Sequence, residues 1–344
     1  VNDHSNIEQV ITKAWYSNKL WIYLLAPFSI LYWLVIRISG LLSSSPPKSK
    51  VPVIVVGNLT AGGTGKSPLV SLLVRDFEQR GYRVGVVSRG YGVSIPKNEV
   101  RLVHADSSAN EVGDEPLMLK RLLACDIALS PQRALAVKAL EDLGVDLVIA
   151  DDGLQHHAMY RDLELCVIDG QRGFGNGWVL PVGPLREPVN RLADMDAVVI
   201  NGELDSSIKL PRSVSTSAMT LLPKEFVRLD GSECLEVAAF VEKYSSQPIS
   251  AVAAIGNPQR FFFLLASLGL TTKNTAKPDH YAYSNEDFSS INGVVVMTEK
   301  DAAKCRDLGI QDAWFLRVSP ELQDKLTDKL YNQLKLSGRL RTIH

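Results

Sequence analysis

Apolar positions fall into two regimes along the chain. Residues 20–36, LWIYLLAPFSILYWLVI, carry no charge, and only Pro27 and Ser29 interrupt the apolar and aromatic run. That is the pattern of a helix surrounded by hydrocarbon or wholly wrapped by protein. Such a helix would extend about 25 Å against a bilayer core of about 30 Å. From residue 51 the apolar runs become short and β-branched. VPVIVVGN (51–58), VGVVS (84–88), LVIAD (147–151), ELCVID (164–169) and DAVVIN (196–201) each read as a strand buried on both faces. Between the first two, Leu69, Leu72, Leu73 and Phe77 recur at helical spacing over 67–80, and Gly81 closes that helix.

After about residue 210 the pattern restarts with ECLEVAAFVEKY (233–244), ISAVAAIGNPQRFFFLLASLGL (249–270) and GVVVMTEK (293–300). The expected class is therefore α/β, a mostly parallel sheet of the P-loop NTPase kind, with an N-terminal membrane helix and a second, smaller α/β domain. The divisions are 1–45 for the anchor and its linker, 46–210 for the main domain and 211–344 for the smaller one. The SSSPPKSK stretch (43–50) marks the linker.

Three of the five tryptophans, Trp15, Trp21 and Trp33, lie in the first forty residues with Tyr16, Tyr23 and Tyr32. Rings of this kind lodge at membrane–water boundaries, so the segment is expected to meet a membrane, its depth left open. Asp3 and Glu8 at the start do not suit a cleaved signal peptide, whereas a core helix of a soluble domain stays open as an alternative. The body is globular in composition, 46% hydrophobic and 22% charged. Its formal net charge of −1 creates no general field for nucleic acid, so an anionic ligand must be held locally. Cys125, Cys166, Cys234 and Cys305 are scattered, without the close pairs of a zinc site or disulfide framework.

The loop after the first strand, TAGGTGKS, runs through Thr60, Ala61, Gly62, Gly63, Thr64, Gly65, Lys66 and Ser67. It matches G-x-x-x-x-G-K-[ST] except that Thr60 replaces the first glycine. The glycines let backbone N–H groups face a polyphosphate, Lys66 neutralises the β- and γ-phosphates of ATP, and Ser67 offers a hydroxyl to Mg²⁺. Asp151 and Asp152 end the 147–151 strand beside this loop, so one of them is expected to orient the metal ion. The AIGNP turn (254–258) reads as a packing turn, since it lacks a full dinucleotide fingerprint.

GNLTAGGTGKSP, SRGYG, VGDEP, ADDGLQHH, LPVGPLREP, KPDHYAY and MTEKDAAK occur in that order. Together they resemble the tetraacyldisaccharide 4′-kinase family, in which threonine opens the phosphate loop. The resemblance implies ATP-dependent phosphorylation of the 4′-hydroxyl of a tetraacylated glucosamine disaccharide 1-phosphate, a step in lipid A synthesis. It implies a glycolipid partner in the bilayer, a monomeric protein at the inner membrane and catalytic domains on the cytoplasmic side. By the same resemblance Asp114 is the catalytic carboxylate and His280 its partner. Glu187 joins Ser67, Asp151 and Asp152 on the metal side, and Arg89, Tyr91, Arg133 and Arg186 line the substrate or nucleotide cleft. Asp114 and His280 in different domains imply a cleft that closes on substrate. Without the resemblance, a membrane-bound ATPase or GTPase switch would also suit the loop and Asp151/Asp152, although no N-K-x-D phrase for guanine is found.

Overall fold

The β-branched runs become strands because their side chains are buried on both faces. β1 (Val53–Gly57), β2 (Val84–Ser88), β5 (Leu147–Asp151), β6 (Leu163–Asp169) and β7 (Ala197–Asn201) are buried at every position. The structure is a computed structural model that describes residues 10–17, 19–42, 46–211, 213–279 and 281–342. The chain divides into two units: Val1–Thr220 with Glu321–His344, and Leu221–Pro320.

In the first unit the strand order is β7-β6-β1-β5-β2-β4-β3, where β3 is Arg101–Leu102 and β4 is Asp126–Leu129. All pairs are parallel except β3 with β4 at the edge. Register aligns Val56 of β1 with Asp151 of β5, and Asp169 of β6 with Asn201 of β7. The polar ends of four strands are thereby gathered along one edge, the usual ligand edge of an open α/β sheet. The start of β8 (Thr216–Arg228) pairs with β7.

An apolar helix near the N-terminus, α1 (Ala26–Leu42), follows a 3₁₀ turn over Leu20–Leu25. The segment Leu20–Gly40, 21 residues with mean hydropathy 1.7, is long and apolar enough to cross a membrane. α2 (Lys66–Gln79) opens directly on the glycine-rich loop. Its buried stripe is Leu69, Val70, Leu73, Val74 and Phe77, with Leu72 only partly covered. Each fully buried side chain of this size contributes about 1.5–3 kcal/mol. α3 (Ala109–Val112) and α4 (Asp114–Leu122) precede β4, and α5 (Arg133–Asp142) follows it.

The second unit holds β10 (Ile249–Ala253), β11 (Thr272–Ala276), β12 (Val294–Thr298) and β13 (Ala313–Leu322) in the order β11-β10-β12-β13, with parallel pairing along that path. The later part of β8 pairs antiparallel with β9 (Cys234–Glu236). Helices α6 (Val237–Tyr244), α7 (Pro258–Ser267) and α8 (Glu299–Cys305) complete this unit. Phe226 and Phe240 stack at 3.8 Å in its core, beside the fully buried Trp314. AIGNP opens α7 with Pro258 in its first turn.

This division differs from the expected one at the C-terminus. Residues 321–344 belong with the first unit, where α9 (Leu326–Leu336) buries Leu326, Leu330 and Leu334. Arg339 then pairs with Asp162 at 2.6 Å and donates to the carbonyls of Ser49 and Val51, fastening the entry to β1.

Candidate active site

Leu59, at the end of the first strand's apolar run, is buried, and the chain then turns sharply. Gly62 and Gly65 take φ of +97° and +91°, in the left-handed region that favours glycine. A Cβ on Gly65 would collide with the Asn201 side chain, whose Nδ2 donates to the Thr64 carbonyl at 2.9 Å. Asn58 braces the loop from inside, its Nδ2 donating to the carbonyls of Thr60 (2.8 Å) and Gly62 (3.1 Å). On its outer side the loop pairs with the PLREP segment. Ala61 N donates to Pro184 O at 2.7 Å, and Arg186 N to Leu59 O at 2.6 Å.

Lys66, the first residue of α2, donates to Asn58 Oδ1 at 3.3 Å and lies 3.5 Å from Asp152 Oδ1. Asp152 has φ +51°, and both of its carboxylate oxygens accept from the one nitrogen Arg186 Nη1, Oδ1 at 3.1 Å and Oδ2 at 2.9 Å. Arg133, buried although it is an arginine, donates from Nη2 to the Asp152 carbonyl at 2.7 Å. Burial pulls the Arg133 guanidinium below its ordinary value, with Asp152 and Asp151 opposing.

The two adjacent aspartates are driven apart. Burial would raise the Asp152 carboxyl, but Lys66 and Arg186 outweigh it and hold it well below the usual range. Burial pushes Asp151 up to about 7, reinforced by the charge of Glu115 and opposed by Lys66. Asp151 Oδ1 is buried with no hydrogen-bond partner among the described residues. Such orphans gather around this loop: Thr64 Oγ1, Arg133 Nε, His156 Nε2 and Glu187 Oε1 are in the same condition. A buried polar atom left unpaired costs about 1–3 kcal/mol, so their concentration marks a place built for a polar ligand or water.

The structure thus brings Lys66, Asp151, Asp152, Arg133 and Arg186 into one network. Glu187 is buried and faces Arg191 at 3.5 Å, which in turn pairs with Glu164 at 2.6 Å. Asp114 begins α4 immediately after Gly113, where a Cβ would lie 2.9 Å from the Tyr91 carbonyl. That close approach brings SRGYG and VGDEP together, and the charge of neighbouring Glu115 is felt at Asp151. Arg89 and Tyr91 are exposed. The Arg89 charge acts on both Arg133 and His156. His280 lies outside the described residues. Among the described residues no group of three or more His, Cys, Asp or Glu side chains forms a metal cage.

Two residues that shape the loop, Asn58 and Asn201, were not among the expected site residues. Their signal was present in the amides that follow apolar strands in VIVVGN and AVVING. Gln155 also belongs here, reaching Asn58 O at 3.2 Å and Arg186 at 3.5 Å.

A family model described as tetraacyldisaccharide-1-P 4′-kinase matches residues 21–335. The chain is 41% identical over 331 residues to the tetraacyldisaccharide 4′-kinase of Hahella chejuensis, covering 93% of this chain and 95% of that one. It is 44% identical over 319 residues to the tetraacyldisaccharide 4′-kinase of Dechloromonas aromatica, covering 91% and 93%. Among solved structures it is similar to LpxK from Aquifex aeolicus in complex with ATP. There the TM-score is 0.74 at 27% identity, covering 91% of this chain and 99% of that one.

Proposed function

The chain belongs to the tetraacyldisaccharide-1-P 4′-kinase family, and from that premise we propose that phosphoryl transfer takes place on the network around Lys66 and Asp152. Its activity is transfer of the ATP γ-phosphoryl group to the 4′-hydroxyl of tetraacyldisaccharide 1-phosphate, a step of lipid A synthesis. The observation that carries the site assignment is the convergence of Lys66 and Arg186 on Asp152 beside a glycine-rich loop.

In this account the loop backbone from Ala61 to Gly65 holds the β- and γ-phosphates, with Lys66 and Arg186 as the cations that meet their charge. Arg133 and Arg89 extend the positive surface toward the substrate, and Tyr91 lines the same side. The bond from γ-phosphorus to the β,γ-bridging oxygen breaks as the bond to the 4′ oxygen forms. ADP leaves, and the hydroxyl proton passes to the Asp114 carboxylate, with His280 as its partner. A sugar hydroxyl is too weak an acid to ionise alone near neutrality, so a carboxylate taking its proton late in a loose transition state suits the chemistry.

Mg²⁺ fits the residues present. Asp152 is engaged by two cations, whereas Asp151 Oδ1 has no hydrogen-bond partner among the described residues and ends the strand paired with β1, which leads into the loop of Ser67. Asp151 and Ser67 are therefore the assigned holders, with Asp152 and Glu187 supporting. When bound, the ion would supply positive charge to meet the charge that develops on the transferred phosphoryl group.

The apolar segment Leu20–Gly40 seats the protein on the inner membrane with its catalytic residues on the cytoplasmic side, as a monomer. A four-chain lipid stays in the bilayer, so an enzyme at that surface searches two dimensions and need not draw its substrate into water. ATP turnover by the purified protein in mixed micelles, with and without the disaccharide 1-phosphate, tests the proposal. Turnover that requires the lipid and is lost in Asp114→Ala and Lys66→Ala supports it. Lipid-dependent turnover that survives both substitutions defeats the site assignment.

A further inference from the structure

The apolar segment Leu20–Gly40 meets the rest of the protein through few of its residues, and two of these, Ser29 and Tyr32, carry hydroxyls. In α1, Phe28, Leu31, Val35 and Ile38 recur at helical spacing and are all more than half exposed, as is Leu24 in the turn before it. Ile22 and Ser29, by contrast, are buried, and Tyr32 is partly covered. Ser29 Oγ donates to Val179 O at 2.9 Å and accepts from Val182 N at 3.0 Å. Tyr32 donates its hydroxyl to Arg186 O at 3.3 Å.

The segment these hydroxyls grip is folded tightly on itself. Leu180 N donates to Leu185 O at 2.9 Å, Gly183 N to Val179 O at 3.1 Å and Leu185 N to Trp178 O at 3.1 Å. Its far end pairs with the phosphate loop through Ala61 and Leu59, and it carries the guanidinium that clasps Asp152. Two hydroxyls on the lipid-facing helix are therefore one backbone segment away from the cation assigned to the phosphates.

We propose that Ser29 and Tyr32 are positioning residues for phosphoryl transfer, fixing the 179–186 segment so that Arg186 meets the nucleotide in register with the phosphate loop. The helix then serves catalysis by its inner face and the membrane by its outer one. Attachment alone does not require a serine hydroxyl buried against Val182, because an alanine would give that helix the same outer surface. The inference rests on the assignment of Arg186 to the phosphates, and its test keeps the two apart.

The full-length protein is assayed in mixed micelles containing the disaccharide 1-phosphate, as Ser29→Ala, Tyr32→Phe, Arg186→Ala and the doubles with Arg186→Ala. Each single hydroxyl loss is expected to lower kcat by about three- to tenfold, the effect of one neutral hydrogen bond, while KM for the lipid and sedimentation with vesicles stay at parental values. In the doubles the hydroxyl substitution is expected to add nothing to Arg186→Ala, since both act through one group. Parental kcat in both hydroxyl variants beside an impaired Arg186→Ala overturns the inference alone, as do losses that multiply in the doubles. A fully active Arg186→Ala overturns the phosphate assignment and the inference with it. Should Ser29→Ala fail to fold, Tyr32→Phe, which loses only an oxygen, decides by the same criteria.

Discussion

Lys66 lies 3.5 Å from Asp152, so the cation of the phosphate loop is paired with the carboxylate that follows the neighbouring strand. The same carboxylate takes Arg186, which makes Asp152 the point that sets two cations at once. Lys66→Ala is therefore expected to lower both kcat and ATP affinity by about two orders of magnitude. Asp114→Ala removes the carboxylate we propose as proton acceptor and is expected to lower kcat as strongly with ATP affinity nearly unchanged. Steady-state titration of ATP in both variants checks the contrast, and equal, slight effects would count against both roles.

The two left-handed glycines should differ in their tolerance. Gly65 has positive φ and is also crowded by Asn201, whereas at Gly62 a Cβ meets nothing within 4 Å. Gly62→Ala carries only the backbone cost of about 1–2 kcal/mol. Gly65→Ala adds a collision with a side chain that holds the loop carbonyl, so its loss of ATP affinity should be larger by at least about tenfold. Equilibrium binding of a fluorescent ATP analogue to the two variants gives the comparison.

Much of this site was legible before the structure, because its parts are sequence-local. A strand buried on both faces, a glycine-rich turn and a helix beginning at Lys66 leave a contiguous trace in VIVVGNLTAGGTGKS. The division of labour between Asp151 and Asp152 was not legible, since it depends on the positive φ of Asp152 and on charges from remote segments. Asn58 and Asn201 were overlooked because an amide after a strand usually just closes a turn. The orientation of the apolar helix was equally hidden, since a run apolar on nearly every face does not show which side meets the protein. Only the pairing of Ser29 and Tyr32 with 179–186 reveals it.

The return of the C-terminus to the first unit was also invisible in local pattern, and it should bear on stability. Arg339 and Asp162 are nearly buried, and the guanidinium makes four contacts: Asp162 Oδ1 and Oδ2 at 2.6 and 3.1 Å, and the carbonyls of Ser49 and Val51 at 3.0 and 2.9 Å. Removing one member of a buried pair costs about 3–5 kcal/mol, here at the lower end because Asp162 keeps the Val53 N–H and the Tyr160 hydroxyl as donors. Arg339→Ala should lose about that much in urea unfolding monitored by tryptophan fluorescence. A loss below about 1 kcal/mol would show that the clasp contributes little.

His156 gives the protein an acid-sensitive feature. Burial, followed by the charges of Arg133, Arg161 and Arg89, pulls its imidazole down to about 4, against about 6.5 in an unfolded chain. Between those values the unfolded chain binds a proton that the folded one refuses. The stabilisation is complete above pH about 6.5 and is lost as pH falls toward 4, with a slope of up to about 1.4 kcal/mol per pH unit. His156→Gln should flatten that part of the stability profile. Parallel profiles for the parent and the variant between pH 4.5 and 6.5 would refute a neutral, half-buried imidazole.

Phosphate passes from ATP to the 4′-hydroxyl of tetraacyldisaccharide 1-phosphate, and we propose that it does so on the Lys66–Asp152 network. The most direct measurement follows label from [γ-³²P]ATP in mixed micelles of tetraacyldisaccharide 1-phosphate and locates it on the product. Label is expected on the lipid at the 4′ position, dependent on Mg²⁺ and abolished by Asp114→Ala. Label recovered only as inorganic phosphate, at a rate indifferent to the lipid, would contradict it.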